Sequence, residues 1–304
     1  MKRTACTVLG TLMAAVVCAL LPSNRVIAQN VSDWSNPINL GPLVNSPLRE
    51  QGPAISNDGL SLFFGSERPG RGDFDIWVSQ RARVTDPWGT SINVASLNTA
   101  SSDTLPSLSS DGHWLFFTTD RPGGRGDADV WATWRRDSRD DFNWEPAFNL
   151  GPQVNSALFD AAPEITQRLQ GRGPLLYFAR GPINTALDIY VTELARDGSF
   201  GSPVPSAELN STGSDARVSV SSDGLEMFFY SDRPGSALND LWKSTRKTPS
   251  DPWSSPVNVG APLNTEANET HPKLSPDGLT LYFISARPGG SGSTDLWVAT
   301  RNRR

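Results

Sequence analysis

Five carboxylic acids recur at matching places along the chain. Glu50, Asp103, Asp160, Asp215 and Glu269 each stand five residues after an asparagine that is followed by Ser or Thr, at Asn45, Asn98, Asn155, Asn210 and Asn264. Carboxylates gathered around one opening are the groups that cleave a glycosidic bond, one as acid and one as base or nucleophile, at a separation of about 5 to 9 Å. Like charges that close repel unless each is hydrogen-bonded or a cation sits among them. Three roles stand open for the set: caps for backbone amides between neighbouring modules, a polar or cation-binding mouth, or acid catalysis. Equivalence argues against catalysis, because an acid and a base need different environments and a repeated set begins with one.

Chemistry is better sought where the repeats differ. The two residues after each acid are Gln51-Gly52, Thr104-Leu105, Ala161-Ala162, Ala216-Arg217 and Thr270-His271, so Gln51, Arg217 and His271 are the polar exceptions. Pointing into one mouth beside Glu50, Asp215 and Glu269, they would form an asymmetric pocket able to hydrogen-bond a sugar or a peptide terminus; a solvated loop histidine is the plainer reading of His271. The candidate ligand site is therefore Glu50, Gln51, Asp103, Asp160, Asp215, Arg217, Glu269 and His271. His113 follows Asp111-Gly112 directly and reads as a hairpin residue. With two histidines, and no H-E-x-x-H, G-x-S-x-G or P-loop, neither a histidine-rich metal site nor serine hydrolysis has support. No cofactor is expected, and a cation in the channel is the one ion the acids would suit.

Other charged positions read as architecture. An arginine precedes each aspartate of an Asp-x-aromatic segment by seven or eight residues: Arg68 and Asp75, Arg121 and Asp129, Arg180 and Asp188, Arg233 and Asp240, Arg287 and Asp295. That spacing predicts an ion pair across one hairpin, with an arginine ring gripping a carboxylate or phosphate as the functional alternative. Arg71-Gly72-Asp73 and Arg125-Gly126-Asp127 suggest cell adhesion, and Asp73-x-Asp75 and Asp127-x-Asp129 suggest calcium, but short patterns in loops that need glycine arise by chance.

What positions these residues is a repeat. Asp75-Ile76-Trp77, Asp129-Val130-Trp131, Asp188-Ile189-Tyr190, Asp240-Leu241-Trp242 and Asp295-Leu296-Trp297 are separated by 54, 59, 52 and 55 residues. A second aromatic keeps the same period at Trp34, Trp88, Trp144, Phe200 and Trp253. Each period reads as four short strands: one after the acid, an Asp-Gly turn such as Asp58-Gly59, an aromatic-rich strand, a Pro-Gly loop, the Asp-x-aromatic strand, and an outer strand such as Ile38-Asn39-Leu40. No segment beyond the N-terminal run has a helical period. Residues 34–45 supply a fourth strand without the first three, and residues 271–301 supply three without the fourth. They complete each other, which predicts an all-β, five-bladed β-propeller of four-stranded antiparallel blades, closed by the N-terminal strand pairing with the last blade.

These residues resemble the WD-like β-propeller repeats of the TolB type, whose pattern is P-x-L-S-x-D-G-x-x-L-x-F-x-S-x-R-P-G followed by D-[IL]-W. Four of the five copies follow it closely; the third has a stretch from Gln167 to Gly173 in place of Ser-x-Asp-Gly and Arg180-Gly181-Pro182 in place of Arg-Pro-Gly. The resemblance implies a propeller scaffold and a periplasmic or secreted location. Such scaffolds host binding proteins and enzymes alike.

Export is also legible at the N-terminus. Lys2 and Arg3 precede a mostly apolar run from Thr4 to Leu21, and Val26-Ile27-Ala28 fits cleavage after Ala28, so residues 1–28 read as a signal peptide and residues 29–304 as one propeller domain. An uncleaved anchor is the alternative. Cleavage removes Lys2, Arg3 and Arg25 but no acid, taking the net charge from −5 to −8, and it removes both cysteines, Cys6 and Cys18. The mature chain then has no disulfide, thiol nucleophile or cysteine zinc site. Its acidity and its three lysines, Lys243, Lys247 and Lys273, argue against a nucleic-acid or anionic-membrane surface, and no stable membrane insertion is expected after cleavage.

The leading expectation is an exported, non-enzymatic binding or interaction module holding a protein, peptide or carbohydrate at the channel mouth. A carbohydrate-active hydrolase or lyase using Glu50, Asp103, Asp215 or Glu269 around the funnel is the alternative, and a structural envelope protein without a pocket is a third reading. Unequal carboxylate environments in a deep pocket would favour the enzyme; acids all bonded to backbone would oppose it.

Overall fold

The computed structural model describes residues 31–303 apart from 168, 170–172 and 183–185. The expected signal segment, its cleavage site and both cysteines lie outside the described residues, as does the middle of the divergent stretch in the third repeat. Among the described residues every regular element is a strand, and no helix is long and apolar enough to cross a membrane.

The chain opens with β1 (Ile38–Asn39). Blade 1 follows as β2 (Glu50–Ile55), β3 (Ser61–Ser66), β4 (Asp75–Gln80) and β5 (Ile92–Asn93), and blade 2 as β6 (Asp103–Leu108), β7 (Trp114–Thr119), β8 (Asp129–Trp134) and β9 (Phe148–Asn149). Blade 3 is β10 (Phe159–Ile165), β11 (Leu175–Gly181), β12 (Asp188–Glu193) and β13 (Val204–Pro205); blade 4 is β14 (Asp215–Val220), β15 (Glu226–Ser231), β16 (Asp240–Thr245) and β17 (Val257–Asn258). Blade 5 joins β18 (Glu269–Leu274), β19 (Thr280–Ser285) and β20 (Asp295–Thr300) to β1. Every pairing is antiparallel, and Ile38 opposite Val298 and Asn39 opposite Trp297 close the ring as the repeat arithmetic predicts. Outer strands of two residues leave little free edge for another chain to pair with.

Apolar residues of the middle strands form five clusters, each shared by two neighbouring blades. Phe63, Ile76 and Val78 of blade 1 meet Leu115, Phe117 and Trp144 of blade 2, and the ring is completed where Leu62, Phe64 and Trp88 of blade 1 meet Tyr282, Ile284 and Leu296 of blade 5. Stability is thus distributed around the circle, as in other repeat architectures.

The repeated asparagine fixes each crossing between blades. Asn98 accepts Ile76 N–H at 2.8 Å and donates to Ile76 O at 2.9 Å, so one side-chain amide stands in for a strand neighbour. Asn45 does the same with Leu296 across the closure, at 2.8 and 3.0 Å. Asn45→Ala leaves a buried N–H unpaired where the two ends of the sequence meet, and the expected loss is about 2 kcal/mol in urea unfolding. A loss below about 0.5 kcal/mol would show that the closure rests on the strand pairing alone.

Each inner strand carries a bulge that the sequence did not announce. Pairing skips from Gln51 to Ala54, from Thr104 to Ser107, from Ala161 to Glu164, from Ala216 to Ser219 and from Thr270 to Lys273. The bulged residues Gly52, Leu105, Ala162, Arg217 and His271 all have φ between 51° and 59°, a left-handed conformation that costs a side-chain-bearing residue about 1 to 2 kcal/mol. Proline follows in four of the five blades, at Pro53, Pro106, Pro163 and Pro272, and its missing N–H suits a position where the ladder is interrupted. Glycine is required at Gly52, where a Cβ would lie 2.8 Å from Leu105 Cα. The bulges turn five otherwise equivalent residues toward the axis.

Candidate functional site

Four of the repeated acids open their inner strands and Asp160 stands second in β10, and all five are fully buried. Each accepts the backbone N–H and the hydroxyl of the residue four before it: Ser46 for Glu50, Thr99 for Asp103, Ser156 for Asp160, Ser211 for Asp215 and Thr265 for Glu269. Each also takes one arginine, with Arg121 at 2.5 Å from Asp103, Arg180 at 2.6 Å from Asp160, Arg68 and Arg287 at 3.2 Å from Glu50 and Glu269, and Arg233 on Asp215. The arginines lie over an aromatic of the middle strand and the Asp-x-aromatic ring, as Arg121 does over Phe117 at 4.9 Å and Trp131 at 5.3 Å. Burial pushes the Glu50 carboxyl up, against the opposing pull of Ser46, Ser66 and Arg68.

The expected pairing of these arginines with the Asp-x-aromatic aspartates is therefore corrected. Asp75 instead accepts Arg71 N–H at 2.8 Å, Gly72 N–H at 3.0 Å and Asn93 Nδ2 at 2.7 Å, while Asp129 and Asp295 hold their own loops alike. Spacing along the hairpin cannot distinguish two acids that both border one loop and are both buried; the hydroxyl-lined one receives the charge. Those amide bonds also commit Asp75 and Asp129, one acid of each pair offered to calcium, and no group of three or more metal-ligating side chains occurs among the described residues. The Arg-Gly-Asp tripeptides have a structural reason as well. A Cβ on Gly72 or Gly126 would lie 1.8 or 1.9 Å from a carbonyl oxygen of the following blade, and blade 5 places Gly292 there without either charged neighbour.

The channel axis is occupied by cationic side chains. Arg217 Nη1 donates to Leu105 O at 3.1 Å and Pro163 O at 3.4 Å, and its Nη2 to Pro53 O at 3.0 Å and Pro106 O at 2.8 Å, so blade 4 is tied to three other blades. Burial pushes this guanidinium down to about 10, opposed by Glu164. Beneath it Lys273 Nζ donates to both oxygens of Glu164 at 2.7 Å, closing a second level.

Above Arg217, at the end where the inner strands begin, a cavity of about 520 Å³ remains. Arg49, Gln51, Tyr230 and His271 form a polar side, and Leu105, Phe159, Ala161, Ala162, Ala179 and Leu187 an apolar one. Asp120 and Asp127 are the carboxylates at its wall, both exposed. Gln51 Nε2 donates to Thr104 Oγ1 at 2.8 Å, and His271 Nδ1 lies 2.9 Å from Thr270 Oγ1 with its ring 5.2 Å from that of Tyr230. Of the eight predicted residues, Gln51 and His271 line this cavity, Arg217 lies beneath it, and the five acids are enclosed behind it. Arg49, Asp120 and Tyr230 escaped the sequence reading, and Asp127 entered it only through the adhesion and calcium patterns. Tyr230 has a signal there, since its place in the repeat is held by Gly65, Thr118, Ala179 and Ile284 in the other blades.

Burial first, and then Arg217 and Arg49, push the His271 imidazole down to about 3, so the cavity holds a neutral ring. Burial likewise pushes Tyr230 up to about 12. Between pH 6.5 and about 3 the unfolded chain takes a proton at His271 that the folded chain refuses, so this residue lowers stability as pH falls through that window. Relative to His271→Gln, the wild type should lose up to about 1.4 kcal/mol per pH unit there, measured by urea unfolding at several pH values. Parallel pH profiles would mean that His271 is protonated in the folded protein.

No protein-family model matches the chain, and no curated protein matches it either. Among solved structures it is similar to an α-L-arabinofuranosidase from Podospora anserina in complex with cellotriose, at 11% identity over 90% of this chain and 98% of that one, TM-score 0.60. It is similar as well to the arabinanase Arb43A of Bacillus subtilis, at 15% identity over 86% and 96%, TM-score 0.58. TolB from Acinetobacter baumannii is also similar, at 17% identity over 86% and 56%, but a TM-score of 0.47 supports no argument about kinship. At these identities the likeness establishes the five-bladed propeller fold. The main neighbours are glycoside hydrolases, which overturns the expectation of a non-enzymatic module.

Proposed function

We propose that the chain is an exported, carbohydrate-active hydrolase built from TolB-type repeats, working at the axial mouth in the periplasm or outside the cell. The observation that carries the reading is the asymmetry of the 520 Å³ cavity on a scaffold of nearly equal blades. A sugar ring has apolar faces and a polar rim, and this cavity offers small apolar side chains opposite Gln51, His271 and Tyr230. Arg217 closes the floor, so substrate enters and leaves by the mouth.

The carboxylates for the chemistry are Asp120 and Asp127, one to protonate the leaving oxygen and the other to activate water or attack the sugar carbon. Glu50, Asp103, Asp215 and Glu269 do not serve, because they are fully buried and each is held by a hydroxyl, an amide and an arginine together, whereas exposed Asp120 accepts Ser102 N–H at 2.8 Å through one oxygen and keeps the other. Their backbone bonds oppose an enzyme built on those acids, not one built on the rim.

Arabino- and xylo-oligosaccharides form the substrate panel, with release of reducing ends as the readout. Asp120→Asn and Asp127→Asn should each lower kcat by about a hundredfold or more while leaving the melting temperature unchanged. Absence of hydrolysis across the panel by the wild-type chain, or full activity in both variants, would reject the reading.

A further inference from the structure

The charges around the mouth do not balance. Each of the five repeated acids is matched by its own arginine, and Lys273 and Glu164 cancel one another below the floor. Arg217 has no acid within ion-pairing distance among the described residues: its four bonds go to carbonyls, and its Nε has no hydrogen-bond partner there. A buried cation held by neutral oxygens leaves a positive field at the cavity floor.

A second cation stands on the wall. Arg49 lines the cavity at the place just before the repeated acid, where the other blades have Ser102, Phe159, Ser214 and Asn268. Its guanidinium lies over Phe74 at 5.3 Å, and its Nη1 donates to Glu67 at 3.2 Å while half of the side chain stays exposed. An exposed pair of this kind contributes little, so Arg49 can exchange Glu67 for a ligand carboxylate. Beside it the Tyr230 hydroxyl and His271 Nε2 face the cavity without a hydrogen-bond partner among the described residues. Burial and the two arginines keep that imidazole neutral. The loops bordering this side, 67–74, 232–239 and 286–294, all lie within the described residues, and the chain near Val31 pairs with Arg303 beyond the opposite end of β20.

We propose, on the carbohydrate reading above, that the mouth selects an oligosaccharide carrying a hexuronic acid unit and that Arg49 receives the carboxylate of that sugar. A hexuronic acid has opposite needs at its two ends. The anomeric carbon needs acids to break its bond, and the carboxylate on C5, beyond the ring oxygen, needs a cation. The cavity is divided in the same way, with Asp120 and Asp127 supplied by the β7–β8 loop of blade 2 and the guanidinium by blade 1. Its planar fork can meet both oxygens of a carboxylate. A small acid anion lacks the ring face that Leu105, Ala161 and Ala162 would cover. Neutral oligosaccharides should bind by the same faces and hydroxyls, more weakly.

The test is calorimetric titration of the full chain with D-glucuronate, D-galacturonate, D-glucose, D-galactose and acetate. At least one uronate should bind about tenfold or more tightly than its neutral counterpart, and the preference should weaken with salt. It should fall to about threefold or less in Arg49→Gln, which alters an exposed side chain and should melt like the wild type, and be kept in part by Arg49→Lys. Glu67→Gln, which frees Arg49 without removing it, should hold or raise the affinity for the uronate. Equal binding of uronates and neutral sugars, a preference unchanged in Arg49→Gln, a tenfold loss in Glu67→Gln, or acetate binding as tightly as a uronate would overturn the proposal. Hydrolysis of neutral oligosaccharides alongside such a result would leave the carbohydrate reading standing, whereas binding of no sugar, acidic or neutral, would reject both.

Discussion

Replacing Lys273 by methionine is expected to destabilise the ring by about 3 to 5 kcal/mol, and adding Glu164→Met should return most of that loss. Lys273 belongs to blade 5 and Glu164 to blade 3, so their bonds at 2.7 Å cross the axis between blades that share no seam. Ser107 of blade 2 adds a third element by donating to Glu164 at 3.0 Å. The lysine alone can be removed only by leaving a buried carboxylate without its cation, and Arg217 above it is already held by four carbonyls of other blades. Removing both charges replaces the pair by apolar contacts. Urea unfolding of the single and double variants measures the difference, and a single-variant loss below about 1 kcal/mol would show that water solvates this level of the channel.

The architecture was legible because each blade has to solve the same problems with the same residues. Asn45, Asn98, Asn155, Asn210 and Asn264 keep a common period because each pins a crossing, and Trp34 and Trp297 could be assigned to one blade because the missing strands were complementary. The arginine partners were misread. Arg121 lies within reach of two acids bordering its loop in sequence, and only the fold shows that Asp103 is buried beside Thr99 while Asp129 caps loop amides. The mouth was half legible for a related reason. Gln51, Arg217 and His271 stand out as exceptions among repeats, but the bulge that sends Arg217 across the axis depends on left-handed backbone at residues with no glycine to advertise it. Asp120, and the place of Asp127 at the mouth, were hidden because both reach the cavity from loops that the repeat pattern treats as connections.

That division has a functional consequence. The repeated acids are fixed by bonds whose geometry recurs five times, so mutation there reports on the ring and not on a ligand. The cavity is made by residues that break the pattern: Tyr230 stands in the middle strand where the other blades have Gly65, Thr118, Ala179 and Ile284, and His271 and Arg217 stand at the bulge where they have Gly52, Leu105 and Ala162. Glu50→Gln and Asp127→Asn thus form a diagnostic pair. The first should lower the melting temperature, and the second should change catalysis on an intact fold.

The second large effect is expected at Arg121, where methionine should cost about 3 to 5 kcal/mol although the side chain lies near the surface of the loop. Asp103 is wholly buried and receives Thr99 N–H at 2.6 Å, Thr99 Oγ1 at 2.8 Å and Arg121 Nη2 at 2.5 Å. The same Nη2 donates to Leu97 O at 2.8 Å, immediately before the asparagine that fixes the crossing from blade 1 to blade 2. Methionine preserves apolar contact with Phe117 and Trp131 but removes the charge and all three donated bonds, to Thr119 Oγ1, Leu97 O and Asp103, leaving a buried carboxylate and a buried carbonyl together. Lysine at the same place should recover only part of the loss, because a single ammonium cannot reproduce the planar fork that meets Asp103 and Leu97 while lying over both rings. Urea unfolding of the two variants separates the contributions. Equal stability of the methionine and lysine variants would mean that aromatic packing, and not the ion pair, holds the loop; a comparable loss at Arg233 in blade 4 is expected if each blade carries the clamp independently.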